Sequence, residues 1–549
     1  MGILPFCNAT AAERFCQSPK RTQTKRRTRY QGSRERRRRG YVFASGSVCS
    51  RRRFLSYVFS SAGVLLGQKA ANAGATTTTK VPSLKDFLTE QMRGLHQFQL
   101  PNGARFVVLE RSNTPTVSFI SFVDAGAVDE TDGKTGMAHF LEHLAFKGSR
   151  QIGTNNWAAE SRLLCDLDRL YDKWHADPEA VHEQIMTLSR EAEAFVDENA
   201  FGRLVQRNGG IGLNAATEAD TTQYFYNLPA NRTELWFALE SERFRDPVFR
   251  EFERERRVIL EERLLRVDND DVGKFLEEFL EVAFEKHPYR RPVIGYKEDI
   301  QRLVPADVRS FFREFYVPTR LTFVIVGDVK HQVIHDLAVR YFADLPGTGA
   351  SRRQIPRYPR EYSPQSPKHF QIDLASNPMC LVAYHVPPFQ DPDTAALRVL
   401  SDMLDGGRLS RLYKLFIETG KASSANFSLG FPGDKYVNLG IFSALPIPGQ
   451  DMQRIVDEWH TAAAHLQNPA NITDKELERV RKRVRVSLLN AIMNNNEMAG
   501  LLGKFALMKG DARELFRFLD RLEAVRREDV SRVAALYLKP EHSITGFMV

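Results

Sequence analysis

From Leu95 onward the chain alternates between short runs of strand character and longer stretches with apolar residues at helical spacing. Residues 97–100 and 105–109 flank a Pro101-Asn102-Gly103 turn and predict a hairpin, and 116–123 predict a third strand. Residues 157–198 place Leu163, Leu167, Leu170 and Trp174 at helical spacing. They predict one or two long charged helices, inserted before the next strand, with Pro178 near the bend. A Gly-rich turn and strand pair follows over 209–215 and 221–228. No Lys-Ser/Thr succeeds the glycines, so this is not a phosphate loop. Helices are expected over 233–245, 251–266, 272–284 and 305–315, then a strand over 321–327. Further on, 380–386 reads as a strand and 394–404 and 410–418 as helices.

The segment between the first strands and the insertion carries chemistry. Residues 136–146 include His139-Phe140-Leu141-Glu142-His143. On a helix of 3.6 residues per turn, His139, Glu142 and His143 share one face, and Phe140, Leu141 and Leu144 are left for the core. Two imidazoles one turn apart can both reach a zinc ion, and the carboxylate between them can address a water on it. The order His-x-x-Glu-His inverts the commoner His-Glu-x-x-His. A catalytic zinc needs a third protein ligand and an open position.

An internal repeat organises the chain. Residues 307–318 align without gaps on 529–540, and a strand follows each copy, 321–326 and 543–549. The Pro/Arg-rich 347–368 lies between the copies and reads as a linker. Two domains of like fold from an old duplication are therefore expected, 94–346 and 369–549. The second copy has Asp405-Gly406-Gly407-Arg408 near where the first has its histidines, and it offers no zinc ligands.

Composition changes the picture only at the N-terminus. The chain of 549 residues is +9 overall, but residues 1–53 carry 15 Lys+Arg against Glu13 and Glu35. With Lys69 also set aside, the part after Ala73 is left at −5, which argues against a nucleic-acid protein. Residues 1–49 have the composition of an organelle transit peptide. Ser50-Arg51-Arg52-Arg53-Phe54-Leu55 is close to a twin-arginine signal. The apolar stretch 54–66 after it is too short to span a bilayer, and Ala71-Asn72-Ala73 fits a cleavage site. A presequence over 1–73 is expected, followed by a linker over 74–93. It resembles the bipartite targeting of thylakoid-lumen proteins, with the mitochondrial matrix as the alternative. No run of about 20 apolar residues follows, so no transmembrane segment is expected. Beyond the first segment only Cys165 and Cys380 remain, which excludes a disulfide framework and a thiolate zinc site.

The helix 251–266 offers Glu251, Glu253, Glu255, Glu261 and Glu262 for the third ligand. Glu255 and Glu262, seven apart, share a face and could aim at one ion. Taken alone, the residues favour a solvated acidic face paired with Arg254, Arg256, Arg257 and Arg263. Residues 94–549 resemble the M16 (pitrilysin) metallopeptidases, the group that holds insulin-degrading enzyme and the mitochondrial processing peptidase. The resemblance rests on His139 to His143, Phe146-Lys147-Gly148, Leu213-Asn214-Ala215-Ala216-Thr217, Asp220-x-Thr222-x-Tyr224 and Glu255 to Glu262.

It implies an α+β fold of two similar domains, each a mostly antiparallel sheet packed with helices. It implies a Zn2+ cofactor on His139, His143 and Glu262, with Glu255 supporting from behind and Glu142 as general base. Glu261 is the neighbour most easily mistaken for the ligand. It further implies peptide substrates, held as an added strand along Asn214 and Ala215. The chain departs from the family in two places. The gap from His143 to Glu262 is longer than usual, which implies an altered cleft rim. Phe416 and Ser423 stand where full-length members hold substrate with Arg and Tyr. A half-size member of this kind is expected to pair with a second M16-like chain, as a homodimer or heterodimer. The alternative from another class is a non-catalytic subunit of the same fold.

Overall fold

The computed structural model describes residues 89–549 apart from 91, 175, 348–362 and 375–376. The expected targeting region lies outside the described residues. The first half runs β1 (Leu95–Gln99), β2 (Arg105–Glu110), β3 (Thr116–Val123), α1 (Met137–Leu144), α2 (Trp157–Trp174), α3 (Pro178–Glu193) and α4 (Ala200–Arg207). It continues with β4 (Ile211–Thr217), β5 (Thr222–Pro229), α5 (Thr233–Arg245), α6 (Phe252–Arg263), α7 (Asp271–Ala283), α8 (Lys297–Arg302), α9 (Pro305–Phe315), β6 (Leu321–Gly327) and α10 (His331–Phe342). The second half has β7 (Lys368–Ile372), β8 (Met379–Val386), α11 (Thr394–Leu404), β9 (Ala422–Phe431), β10 (Asn438–Pro446) and α12 (Met452–Leu466). It closes with α13 (Asp474–Met493), α14 (Asn495–Lys509), α15 (Glu514–Ala524), α16 (Arg527–Tyr537) and β11 (Ile544–Met548).

The strands form two sheets, ordered β1-β2-β6-β3-β5-β4 and β7-β11-β8-β10-β9. From β2 and β7 onward the orders match one for one. In both, the first pair is parallel and the rest are antiparallel. The repeat read from one helix and strand therefore extends over the whole half, and the architecture is the α+β duplication expected. Central β6 and β8 are buried along their full length, as their largely apolar runs, broken only by Thr322 in one and His385 in the other, lead one to expect. At the cleft side β4 is an edge strand, bonded only to β5 among the described residues.

Hydrophobic packing crosses the expected boundaries 94–346 and 369–549. One face of the first sheet is covered by its own helices. The other face, through Val107, Ile120, Phe122 and Val324, is covered by Met498, Leu502 and Phe505 of α14 from the second half. Reciprocally, Phe275, Leu276 and Phe279 of α7 cover Leu381, Ile441 and Ile544 of the second sheet. Each half lends the other a helix, so neither sheet is closed by its own chain segment alone. No helix among the described residues is long and apolar enough to cross a membrane.

The stretch 157–198 takes the two-helix form of the expectation, with Asp177 capping α3 through the Ala180 N–H ahead of Pro178. Two local expectations change. The helix expected over 251–266 leaves α-geometry at Leu264 and finishes as a π-turn, Leu264–Asp268. The helix expected over 410–418 likewise forms a π-turn, Tyr413–Ile417, which buries Phe416. Apolar spacing does not separate an α-turn from a π-turn.

Candidate metal centre

Helix α1 has only eight residues and needs outside help to form. Its N-cap, Gly136, sits at φ 80, and a Cβ there would stand 2.5 Å from the Ile294 carbonyl. The orphan amides are met by a carboxylate from outside the helix: Glu130 accepts from Gly136 N–H at 2.9 Å and Ala138 N–H at 2.7 Å. Burial pushes the Glu130 carboxyl up to about 8 against those hydrogen bonds. Asp299 holds Thr135 through both its N–H and its hydroxyl, at 3.1 and 2.7 Å. Inside this frame Phe140, Leu141 and Leu144 face the core, and His139 and His143 face α6.

Helix α6 sorts its five carboxylates. Glu261 is exposed, and Glu251, the N-cap, accepts from Lys147 Nζ at 2.7 Å. Glu253 turns to the inserted helices and accepts from the Tyr171 hydroxyl at 2.5 Å. Arg250, just before α6, forms a fully buried pair with Glu160 of α2 at 2.7 Å. The insertion is thus a brace on the back of the carboxylate helix, where an altered cleft rim was expected. Arg263 anchors the same side: it meets Glu277 in a fork of two 2.9 Å bonds and donates to the Gly295 carbonyl at 2.7 Å. Glu255 and Glu262 are left facing α1.

Glu262 Oε2 lies 3.6 Å from His139 Nε2 and 3.7 Å from His143 Nε2. All three atoms lie within 4.8 Å of one another. These separations are too long for hydrogen bonds. They are close to the edge of a tetrahedron with 2.0–2.1 Å bonds, about 3.4 Å. His139 Nδ1 is buried without a hydrogen-bond partner among the described residues, and Nε2 is the ring nitrogen near the other two ligand atoms. Burial, with His143 and Arg266 nearby, holds the His139 pKa well below its usual value, and the ring is neutral. Burial acts to lower that of His143 too, but its bond to Glu255 and the surrounding carboxylates raise it. Two nitrogens and one carboxylate oxygen with this spacing fit a zinc ion.

The supporting contacts are specific. Glu255 Oε2 bonds His143 Nδ1 at 3.1 Å and Oε1 meets Lys147 Nζ at 2.6 Å. Against its burial, those two partners hold the Glu255 carboxyl down at about 2. Arg266 takes the far oxygen of Glu262, Oε1, at 2.6 Å, leaving Oε2 for the ion. Glu142 is raised above the ordinary carboxylate range by burial, and the Thr217 hydroxyl, which donates to its Oε2 at 2.6 Å, works against this. Lys147, Thr217 and Arg266 had no role assigned from the sequence. Lys147 and Thr217 lay inside quoted motifs, but nothing in their spacing signalled a partner more than 70 residues away. Asn214 and Ala215 lie on the unpaired edge of β4, which runs past α1.

A second His/Glu group, His96, Glu110 and His331, does not suit an ion. Its imidazoles stack 3.7 Å apart with 10° between planes, so their in-plane lone pairs run parallel and cannot meet. Glu110 is already engaged by His331 Nδ1 and by the His331 N–H, both at 2.7 Å. At the two positions where the chain departs from the family's Arg and Tyr, Phe416 is fully buried and the Ser423 hydroxyl donates to the Leu445 carbonyl.

Residues 106–164 match the model of the insulinase family (peptidase family M16), and 302–484 match the peptidase M16 inactive domain. Neither match reaches Glu255 or Glu262. The chain is 25% identical over 456 residues to zinc protease PqqE of Helicobacter pylori, covering 82% of this chain and 91% of that one. It is 23% identical over 450 residues to a probable mitochondrial-processing peptidase subunit beta of Arabidopsis thaliana, covering 80% and 75%. The crystal structure of a protease from Helicobacter pylori has the same fold, with TM-score 0.70 at 24% identity over 83% of this chain and 99% of that one.

Proposed function

Because the chain belongs to the M16 family of peptidases, in its half-size form, we propose that it is a working zinc-dependent endopeptidase. The observation that carries this reading is the convergence of His139 Nε2, His143 Nε2 and Glu262 Oε2 beside a buried Glu142. A zinc ion held there supplies a Lewis acid for the scissile carbonyl and acidifies the attacking water. Glu142 takes the proton of that water and returns it to the leaving amine nitrogen. A carboxyl raised by burial suits this exchange near neutral pH. The Thr217 hydroxyl fixes Oε2 and leaves Oε1 for the proton. The free edge of β4 at Asn214 and Ala215 adds the substrate as a further strand, which tolerates many sequences and suits an unfolded peptide.

The match of 302–484 to an inactive domain does not favour a silent subunit, since that region excludes the whole histidine helix. It fits a second half that scaffolds rather than ligates. A second M16-like chain, identical or different, completes the cleft wall that Phe416 and Ser423 cannot provide. Co-purification with mass spectrometry identifies it. For location, the names of mitochondrial relatives favour the matrix, while Arg51 to Arg53 and Ala71 to Ala73 favour the chloroplast thylakoid lumen. A mature N-terminus near Gly74 supports the lumen and one before Ser50 excludes it. The catalytic reading is tested by Glu142→Gln, which should keep zinc and lose hydrolysis of a quenched peptide. Near-normal turnover in that variant discards the assignment.

A further inference from the structure

The half without metal ligands meets the strand that leads to the site where the turns of two hairpins meet. The β9–β10 turn, residues 432–437, presses against the β4–β5 turn, residues 218–221. Asp220 is buried there, and its Oδ1 accepts from the Tyr289 hydroxyl at 2.6 Å. Its Oδ2 accepts from the N–H groups of Asp434 and Lys435 at 2.7 and 2.9 Å. Lys435 itself forms a buried pair with Asp124 at 2.8 Å. The joint has no slack: a Cβ on Gly433 would stand 2.5 Å from Asp220 Oδ2 and 2.6 Å from the Tyr289 oxygen. From the opposite side the Ala127 and Val128 N–H groups hold the Glu218 and Ala219 carbonyls at 3.2 and 2.8 Å. The strand that enters this clamped turn ends at Thr217, whose hydroxyl donates to Glu142.

We propose that the β9–β10 turn of the second half is a positioning device for the general base. It acts through Asp220 and the β4–β5 turn on the Thr217 hydroxyl that orients Glu142. This inference rests on the zinc-peptidase reading of the site. It gives the second half a part in the reaction although that half provides no ligand. The ligands themselves are held by other means, α1 by Glu130 and Asp299, and α6 by Arg263 and the inserted helices. Loosening the joint therefore moves Glu142 without releasing the ion. A misplacement of about 1 Å in a reacting group costs about 10²-fold in rate.

The test uses the full chain, zinc-loaded, with Gly433→Ala as a wedge and Tyr289→Phe, which deletes one hydroxyl. Expected are a fall in kcat of about 10-fold or more for the wedge and about 3-fold for Tyr289→Phe, with KM within about twofold. Zinc content and chelator-competition affinity should match wild type, and amide exchange should quicken at 214–221. If the wedge variant does not fold, Tyr289→Phe decides by the same readouts. Unchanged kcat in the folded variants, or an activity loss that tracks zinc loss or global unfolding, overturns the proposal. A wild-type chain that neither binds zinc nor cuts peptide overturns the peptidase reading instead.

Discussion

Glu255→Gln separates a supporting carboxylate from a bystander, because the two contacts it breaks have calculable consequences. The substitution removes the charge that bonds His143 Nδ1 at 3.1 Å and Lys147 Nζ at 2.6 Å. Despite burial those partners hold the carboxyl at about 2, against 4.5 for the unperturbed group. A difference of that size between folded and unfolded chain is worth about 3 kcal/mol. Its folded carboxyl ionises more readily, so the contribution is complete above about pH 4.5 and drains away as pH falls toward 2. At pH 3 less than half of it remains. Urea unfolding of metal-free wild type and variant at pH 6 and pH 3 reads this directly. The stability gap between them should narrow by about 2 kcal/mol at the lower pH. At neutral pH, loss of the partner on the far nitrogen of a ligating histidine should weaken zinc about 10- to 100-fold in chelator competition. An unchanged zinc affinity together with a pH-independent gap would refute the role given to Glu255.

Two further outcomes follow from the contacts. Thr217→Val removes the hydroxyl on Glu142 and should lower kcat about 10-fold at full zinc occupancy, whereas Thr217→Ser should restore it, as steady-state kinetics on a quenched peptide will read. Arg250→Met leaves Glu160 buried and unpaired behind the carboxylate helix and should cost about 3–5 kcal/mol in urea unfolding; a cost below about 1 kcal/mol would mean that the insertion does not brace α6.

Much of this was legible in the chain because it is local. The strand 116–123 and the helix 394–404 were expected with the bounds they have, since both are rich in apolar residues and are followed at once by a polar one, Asp124 and Asp405. The His139, Glu142, His143 face follows from helical spacing alone, and the seven-residue gap from Glu255 to Glu262 put on one face the two carboxylates that the fold turns toward α1. What remained hidden is long-range. Periodicity names the apolar face of α7 or α14 but not the sheet that takes it, so the exchange of helices between halves left no mark. Helical spacing alone did not separate Glu262 from exposed Glu261; the family resemblance named Glu262, and the fold turns that residue toward α1. Thr217 and Lys147 are ordinary polar residues until folding brings their carboxylates to them, whereas Arg266, four residues after Glu262, is a local pair that helical spacing can signal.

The central claim is that His139, His143 and Glu262 hold one zinc ion, and X-ray absorption at the zinc edge addresses it most directly. Wild type should show two imidazoles and light oxygen scatterers at about 2.0–2.2 Å. In Glu262→Gln the oxygen contribution and tight binding should be lost, while Glu261→Gln should match wild type. A spectrum without histidine scattering, or one unchanged in Glu262→Gln, would contradict the account.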